Sequence, residues 1–349
     1  MKQDLWNPAL DRLVAYQVPD SSGLIKLDAM ENPFPLPAAV AQAFAAEPPI
    51  SNRYPDASAS ALKTALEQVY PAPDGFGCVL GNGSDELIAL LLQAVMRPGA
   101  TVLAAEPCFV MYRHLAGILG LRFVGVPLQA DFSLDMPAML AAIEEHQPSL
   151  VFIASPNNPT GNLFPEAELK QLATACPGLF VLDEAYIPYA ATSGGEFAAQ
   201  HPNVVLLRTL SKWGLAGLRL GFVQARAEVC AQLEKLRMPY NINSLSQSLG
   251  RLCLQQGAEF AAQIEILVAE RARLEAGLAA PGVRIYPSAA NFLLLRVPDA
   301  PRTHAALKAE GVLVKILHGA HPLLQHCLRI SLGTPEENTR LLAVWPGVL

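Results

Sequence analysis

The segment LLRTLSKWGLAGLRLGF (206–222) places Ser211, Lys212 and Arg219 just past an apolar run. Valine and leucine at 204–207 are typical of a buried strand, so Ser211 and Lys212 follow its carboxyl end. A lysine amine that attacks a carbonyl must be partly neutral, and burial beside other positive charge lowers its pKa toward that state. The apolar residues between Lys212 and Arg219 favour such a lysine.

Other polar residues also follow apolar runs: Asn158 in SPNNPTG, and Asp183 with Tyr186 in LDEAY. The runs LVFIAS, LFVLDEAY and VVLLRTLS lack polar alternation, which predicts strands buried on both faces of a mostly parallel sheet. Open α/β sheets bind ligands at the carboxyl ends of their strands. We therefore expect one site with a carboxylate, a phenol, a lysine and an arginine, able to hold an aromatic cation, a carbonyl and a phosphate.

The order of the apolar runs predicts a large α/β domain over 46–245 and a smaller α+β domain over 246–349. The second contains a helical stretch over about 246–280 and strands in VRIYP, NFLLLRV, GVLVKIL and CLRISLG. Residues 1–45 are irregular and rich in proline, and we expect an N-terminal arm that also forms part of the small domain. In GNGSDELIALLLQAVM, a glycine turn precedes a helix with Ser84 and Asp85 as capping residues.

The bulk composition of the 349 residues favours small-molecule chemistry. The net charge is −6, and no run rich in Lys or Arg indicates a nucleic-acid or anionic-membrane surface. The first residues carry charge and two prolines instead of an apolar core, so we expect no secretory signal. Six cysteines without CxxC spacing predict reduced thiols and a cytoplasmic protein.

In this order and at these intervals, SPNNPTG, LDEAY and SKWGLAGLRLG resemble the aminotransferases of the fold type I PLP-dependent transferases, which use pyridoxal 5'-phosphate (PLP). The resemblance extends from about Tyr16 to the C terminus. It implies that Lys212 forms the internal aldimine and then acts as general acid and base. Asp183 would pair with the pyridinium nitrogen and keep it protonated, so that the ring can accept electrons.

The resemblance also implies which other residues hold the cofactor. Asn158 and Tyr186 would hydrogen-bond the ring hydroxyl oxygen, while Ser211 and Arg219 would hold the phosphate. A helix N-terminus binds phosphate through backbone N–H groups. Further candidates are therefore Gly83, Ser84 and Asp85 for the phosphate, Phe109 for stacking on the ring, and Tyr54 for the cofactor phosphate of the neighbouring subunit in a homodimer with shared active sites.

Within this fold type, the segments AYQ (15–17), MENPF (30–34), NRYPD (52–56), PSAANFLLL (287–295) and CLRISLGTPEEN (327–338) most resemble the histidinol-phosphate aminotransferases of histidine biosynthesis. The implied ping-pong reaction converts L-histidinol phosphate and 2-oxoglutarate to imidazole acetol phosphate and glutamate. Candidate substrate-binding residues are Arg329, Tyr16, Asn32 and Lys315. Many family members have arginine where this chain has Lys315, which keeps the charge and loses bidentate geometry.

Several alternatives stay open at this point. Aspartate or aromatic amino-acid transamination, and decarboxylation of a phosphorylated amino acid, would use nearly the same motifs and the same electron sink. A DNA-binding regulator would need a helix-turn-helix domain and a basic face, and a Rossmann dehydrogenase would need GxGxxG after the first strand. Histidines 318, 321 and 326 lack a matching carboxylate or cysteine cluster, so we expect no metal site; they could line the substrate entrance.

Overall fold

The computed structural model describes residues 6–13, 15, 18–190 and 192–349, so the predicted substrate residue Tyr16 lies outside the described residues. The strands are β1 (Ile25–Leu27), β2 (Phe76–Asn82), β3 (Thr101–Glu106), β4 (Arg122–Pro127), β5 (Leu150–Ala154), β6 (Leu179–Asp183), β7 (Val204–Thr209), β8 (Leu220–Arg226), β9 (Arg284–Tyr286), β10 (Phe292–Arg296), β11 (Val312–Ile316) and β12 (Cys327–Ser331).

The helices are α1 (Ala38–Ala46), α2 (Ser60–Val69), α3 (Ser84–Val95), α4 (Met111–Ile118), α5 (Met136–His146), α6 (Glu166–Ala175), α7 (Gly195–Gln200), α8 (Ala227–Leu236), α9 (Ser244–Gln255), α10 (Gly257–Gly277), α11 (Ala300–Ala309) and α12 (Pro335–Val348). None of the described helices combines the length and the apolar character that crossing a membrane requires.

The larger sheet has seven strands in the order β2-β8-β7-β6-β5-β3-β4. Its strands are parallel to their neighbours except β8, which is antiparallel to both β2 and β7. All residues of β5 and β7 are buried, which agrees with the unbroken apolar sequence of β5 and with the apolar first four residues of β7, 204–207. The mostly parallel sheet and the α/β class predicted from the sequence are confirmed.

The smaller sheet has five strands in the order β1-β11-β12-β10-β9 and is mostly antiparallel. Its edge strand β1 comes from the N-terminal region and pairs in parallel with β11, so that Ile25 lies opposite Val312. The N-terminal region therefore contributes a strand to the sheet formed by the C-terminal region. The domain boundaries at 46 and 245 remain predictions.

Two details of the predicted helices were wrong. The stretch predicted as one helix over 246–280 is two helices, α9 and α10, separated at Gln256, whose backbone N–H reaches the carbonyls of Leu252 and Cys253. The capping residue of α3 is Gly83, with φ of 86°, while Ser84 is already helical and no side chain caps the first turn. Glycine adopts this backbone conformation without the steric cost that a side chain brings.

Candidate active site

The polar residues predicted from the sequence meet at one edge of the larger sheet. The parallel strands β5, β6 and β7 end there, at Ala154, Asp183 and Thr209. Strand β8 runs the opposite way, so its beginning reaches the same edge and brings Arg219 with it. A pocket with about 580 Å³ of space, partly open to solvent, lies against this edge and is lined by Met30, Ser84, Asp85, Phe109, Tyr112, Ala154, Asn158, Asp183, Ala185, Tyr186, Thr209, Ser211, Lys212 and Arg219.

Lys212 is half-buried in the wall of this pocket and lies three residues beyond the end of β7. Its Nζ donates to the carbonyl oxygen of Ala29 at 3.4 Å and lies 5.7 Å from the centre of the Tyr186 ring. The pKa of Lys212 is lowered to about 8, first because the amine is withdrawn from water and then because the positive charge of Arg329 opposes its protonation. Such an amine is partly neutral near neutral pH and can act as a nucleophile.

Asp183 ends β6 and is 4% exposed. Its Oδ2 accepts a hydrogen bond from the Tyr112 hydroxyl at 2.5 Å, and its Oδ1 accepts one from the Ala185 backbone N–H at 3.0 Å. Burial raises the pKa of Asp183 to about 6, against the opposite effect of these two hydrogen bonds. A buried carboxylate at this position can stabilise a positively charged group in the pocket.

One end of the pocket contains several hydrogen-bond donors that could bind an anion. Helix α3 begins there at Ser84, and no side chain caps its first N–H groups. Arg219 lies beside it and donates to Asp85 Oδ2 at 3.3 Å and to Ser211 Oγ at 3.5 Å, while Thr209 Oγ1 donates to Ser211 Oγ at 2.9 Å. A helix N-terminus, a guanidinium and a hydroxyl are groups that bind phosphate.

The sheet edge and the smaller sheet are connected by hydrogen bonds through Arg329, which lies on β12 and is 7% exposed. Arg329 donates from Nη1 to Asn158 Oδ1 at 2.6 Å and from Nη2 to the Asp28 carbonyl oxygen at 3.0 Å. Close by, the Tyr186 hydroxyl donates to the sulfur of Met30 at 3.1 Å. A further cation is thereby placed next to the predicted ring-binding residue Asn158, which lines the pocket.

Besides Arg329, which contacts the lining residue Asn158, three predicted residues do not line the pocket. Tyr54 is 81% exposed and stacks on the ring of Tyr240 with 4.5 Å between centroids. Asn32 donates to the carbonyl oxygen of Trp213 at 3.3 Å and lines a neighbouring cavity. Lys315 lies opposite Arg329 in the pairing of β11 with β12, so the two side chains point to one face of the smaller sheet. Their binding roles, like that of Tyr16, stay predictions.

Gly83 does not line the pocket either, but it borders the anion-binding end. A Cβ added to this residue would lie 2.5 Å from Nη2 of Arg219. The glycine therefore makes room for the guanidinium beside the start of α3.

Sequence reasoning missed five pocket residues: the two small residues Ala154 and Ala185, and the larger Met30, Tyr112 and Thr209. Tyr112 follows the predicted stacking residue Phe109 by three positions, and Thr209 precedes Ser211 by two, so both lay within motifs that the sequence had singled out. Met30 lies in MENPF, and its backbone φ of 54° is uncommon for a residue with a side chain.

The three histidines of the segment HGAHPLLQH (318–326) lie outside the pocket. The rings of His318 and His326 are 4.8 Å apart, and the His326 backbone N–H donates to His318 Nδ1 at 3.0 Å. Throughout the part of the chain that the structure describes, no group of three or more His, Cys, Asp or Glu side chains is arranged to hold a metal ion.

Comparison with known proteins identifies the family of this chain. The profile of the family "Aminotransferase class I and II" matches residues 22–344. The chain belongs to this family. Among curated relatives, it is 50% identical to a histidinol-phosphate aminotransferase of Chromobacterium violaceum, over 98% of this chain and 97% of that protein. It is 49% identical to histidinol-phosphate aminotransferase 2 of Cupriavidus pinatubonensis, over 96% of this chain and 94% of that protein.

Among solved structures, a histidinol-phosphate aminotransferase from Sinorhizobium meliloti in complex with pyridoxal 5'-phosphate superposes with a TM-score of 0.88 and 25% identity, covering 99% of this chain and 97% of that one. This chain is therefore an aminotransferase of the PLP-dependent fold type I, and its cofactor is PLP.

The pocket of this aminotransferase fits that cofactor. PLP carries a phosphate, a basic ring nitrogen and an aldehyde, and the pocket offers donors at one end, the buried carboxylate of Asp183 and the amine of Lys212. Gly221 lets the start of β8 pack closely against the start of α3, since a Cβ on Gly221 would lie 2.6 Å from the backbone nitrogen of Ser84. When bound, PLP supplies a protonated ring that accepts the electron pair released from the substrate Cα.

Proposed function

We propose that this aminotransferase interconverts L-histidinol phosphate and 2-oxoglutarate with imidazole acetol phosphate and glutamate in histidine biosynthesis. The observation that carries the proposal is the identity of about one half to curated histidinol-phosphate aminotransferases along nearly the whole chain. Ping-pong exchange follows, because both substrates must use the same lysine and the same cofactor in turn.

We assign the catalytic roles to Lys212 and Asp183. The Lys212 amine would bind the cofactor aldehyde covalently and, once released, carry a proton between the substrate Cα and the cofactor. Its lowered pKa supports both roles, because an amine with a pKa of about 8 can give up and take back a proton near neutral pH. Asp183 would hold the ring nitrogen in its protonated form. Its burial and its position in the pocket lining support this role, because a buried carboxylate is stabilised by a nearby positive charge.

The remaining pocket residues would orient the cofactor. Ser84, Asp85 and the backbone at Gly83, together with Ser211 and Arg219, would bind the phosphate; the contacts of Arg219 with Ser211 and Asp85 at the start of α3 support this. Asn158 and Tyr186, which line the same pocket, would hydrogen-bond the ring hydroxyl oxygen, and Phe109 would stack on the ring.

Arg329 is our candidate for binding the anionic group of both substrates. One substrate is a dicarboxylate and the other a phosphate monoester, so the site needs a cation that pairs with either anion. The guanidinium is fixed by Asn158 and the Asp28 carbonyl within reach of the pocket rim. Asn32, Lys315 and Tyr16 are further candidates on the substrate side.

We also propose a homodimer in which Tyr54 reaches the cofactor phosphate of the partner subunit. The exposure of Tyr54 and its stacking on Tyr240 support this, since a hydroxyl used within its own subunit would lie in its own pocket. Other large apolar side chains close in sequence to Tyr54 (Ile50) or to Tyr240 (Met238 and Leu245) are also exposed, as expected for a surface that a second copy covers. Six free cysteines support a cytoplasmic location.

A substrate panel with purified, PLP-loaded protein tests the proposal. We expect kcat/KM for L-histidinol phosphate with 2-oxoglutarate to exceed that for phenylalanine by about a hundredfold, because the phenylalanine side chain leaves a buried cation without its anion. For aspartate, whose side-chain carboxylate can pair with the cation, kcat/KM should be lower by a smaller factor. O-phosphothreonine should release no carbon dioxide. Preference for aspartate or phenylalanine would replace the proposed substrate within the class, and carbon dioxide release would indicate a decarboxylase.

A further inference from the structure

Tyr112 is held against the carboxylate of Asp183 by aromatic packing on two sides. The residue lies in the first turn of α4 and is fully buried. Its ring is parallel to that of Phe152, with 4.4 Å between centroids and an interplanar angle of 4°, and meets Phe109 edge-on at 5.7 Å. The hydroxyl is thereby directed at Asp183 Oδ2, 2.5 Å away.

We propose that Tyr112 is a positioning residue that acts through Asp183: its hydroxyl keeps the carboxylate ionised and turned toward the ring nitrogen of the cofactor. This inference rests on the proposed function, in which Asp183 pairs with that nitrogen. Tyr112 itself would not touch the ring nitrogen.

The charges around Asp183 explain why it needs such a donor. The titratable groups that face it are Tyr112, Cys108, Asp85, Glu184 and Tyr186. Asp85 and Glu184 are carboxylates and oppose a further negative charge, and burial also favours the neutral acid. The hydrogen bonds from the Tyr112 hydroxyl and the Ala185 N–H act in the other direction, because they stabilise the ionised form.

The two hydrogen bonds also fix the orientation of the carboxylate. Tyr112 binds Oδ2 and the Ala185 N–H binds Oδ1, so rotation of the carboxylate would break both. Each oxygen keeps a lone pair for another donor. Burial and the nearby Asp183 raise the pKa of Tyr112 well above its ordinary value, so its hydroxyl remains a donor at every pH at which the enzyme works.

The pH dependence of PLP binding to the apoprotein tests this role without measuring activity. Below the pKa of Asp183 the carboxyl is neutral and binds the cofactor weakly, so affinity falls toward acid pH. We call this fall in PLP affinity toward acid pH the acid limb of the binding profile. We expect Tyr112→Phe to move the acid limb to higher pH by about one unit, which corresponds to the free energy of one hydrogen bond to a charged group. The same limb should not move in Tyr286→Phe, which removes another buried hydroxyl outside the pocket.

Two further measurements distinguish the proposed role of Tyr112 from a general structural effect of the substitution. Inorganic phosphate, used as a competitor of PLP, should bind Tyr112→Phe as it binds the parent, because the phosphate end is unchanged. In the Asp183→Asn background, Tyr112→Phe should cause no further shift. If Tyr112→Phe fails to fold, replacement of Tyr112 by 3-fluorotyrosine, a stronger donor of nearly the same shape, should move the limb to lower pH.

The outcomes distinguish this inference from the function on which it rests. A parent protein that does not bind PLP would overturn the proposed function and the role of Tyr112 with it. A parent that binds PLP, with an acid limb that is unmoved by Tyr112→Phe or by 3-fluorotyrosine, would overturn the role of Tyr112 alone. A shift that persists in Asp183→Asn would also overturn it, since the effect would then not pass through Asp183.

Discussion

At the scale of single residues, the reactivity of Lys212 depends on its surroundings. Because burial and Arg329 lower its pKa to about 8, the neutral amine accumulates above pH 8, well below the pH at which an ordinary lysine loses its proton. We expect the rate of covalent attachment of PLP to the apoprotein to rise with pH with a midpoint near 8, as measured by stopped-flow absorbance.

Arg329→Gln provides the matched variant for this measurement. Removal of the positive charge should raise the pKa of Lys212 and move the midpoint to higher pH, because protonation of the amine is then opposed less. A parent midpoint near 10.5, or an identical midpoint in the variant, would contradict this account of the lysine.

The sequence indicated most of the chemistry of the site and little of what supports it. Lys212, Asp183, Asn158 and Arg219 were predicted to lie together because strand ends share one edge of a sheet, and the pocket contains all four. The contact between Tyr112 and Asp183 joins residues 71 positions apart, and the bond from Arg329 to Asp28 spans 301 positions. Local pattern carries no information about such pairs, because it reports burial and periodicity only.

At the scale of elements, the turn before α3 is shaped to hold an anion. Gly83 has a positive φ, and an added Cβ would lie 2.5 Å from Arg219 Nη2, so Gly83→Ala should push the guanidinium away from Ser211. We expect PLP affinity to fall by about tenfold or more, as loss of one charge-assisted hydrogen bond implies. Equilibrium titration of the apoprotein with PLP measures it.

Gly99→Ala is the control for that change. Gly99 has a similar φ of 79°, and an added Cβ would meet no atom within 4 Å. Both variants carry the strain of a side chain at positive φ, about 1–2 kcal/mol, but only Gly83→Ala should weaken PLP binding. Equal losses of affinity in the two variants would refute the steric explanation.

A buried ion pair connects strands β6 and β7 behind the site. Arg208 is 3% exposed and donates from Nε to Glu184 Oε2 at 2.7 Å, and it also contacts Gln224 and Ser193. Arg208→Met would leave the Glu184 charge buried without its partner, which costs about 3–5 kcal/mol of unfolding free energy. Urea denaturation measures this cost.

The surface pair Lys170–Glu166 is the comparison. Both side chains are solvent-accessible and lie one helical turn apart, so Lys170→Met should cost no more than about 0.5 kcal/mol. If Arg208→Met proved equally mild, the buried pair between Arg208 and Glu184 would not contribute the predicted stability.

Element boundaries could be predicted less well than element types. The apolar runs identified most strands of both sheets, because continuous burial leaves a clear pattern, but β1 lies in the segment over 1–45 that was predicted to be irregular. The break at Gln256 left no such signal, since neither Gln256 nor its neighbours include proline, and a single glycine at 257 is tolerated within helices. The pairing of β1 with β11 joins distant parts of the chain and could not be read from local sequence.

At the scale of the whole molecule, the exposed position of Tyr54 makes a specific prediction about assembly. Lys212→Ala and Tyr54→Ala subunits, co-expressed with different tags and purified as mixed dimers, should regain one intact site. That site would combine Lys212 of one subunit with Tyr54 of the other. Each variant on its own should be impaired, in catalysis for Lys212→Ala and in PLP affinity for Tyr54→Ala.

The mixed dimers distinguish a shared site from a self-contained one. If Tyr54 served its own subunit, each site of the mixed dimer would still lack one residue and PLP affinity would not recover. Mixed dimers made from Lys212→Ala and parent subunits provide the reference for one working site.

The claim on which the whole account depends is that the amine of residue 212 bonds to the aldehyde of the cofactor. Borohydride reduction of the PLP-loaded protein, followed by proteolysis and mass spectrometry, tests it directly. The account predicts a stable phosphopyridoxyl adduct on Lys212, and no adduct at any position in Lys212→Ala treated in the same way. An unmodified Lys212 in fully loaded parent protein, or an adduct on a different lysine, would contradict it.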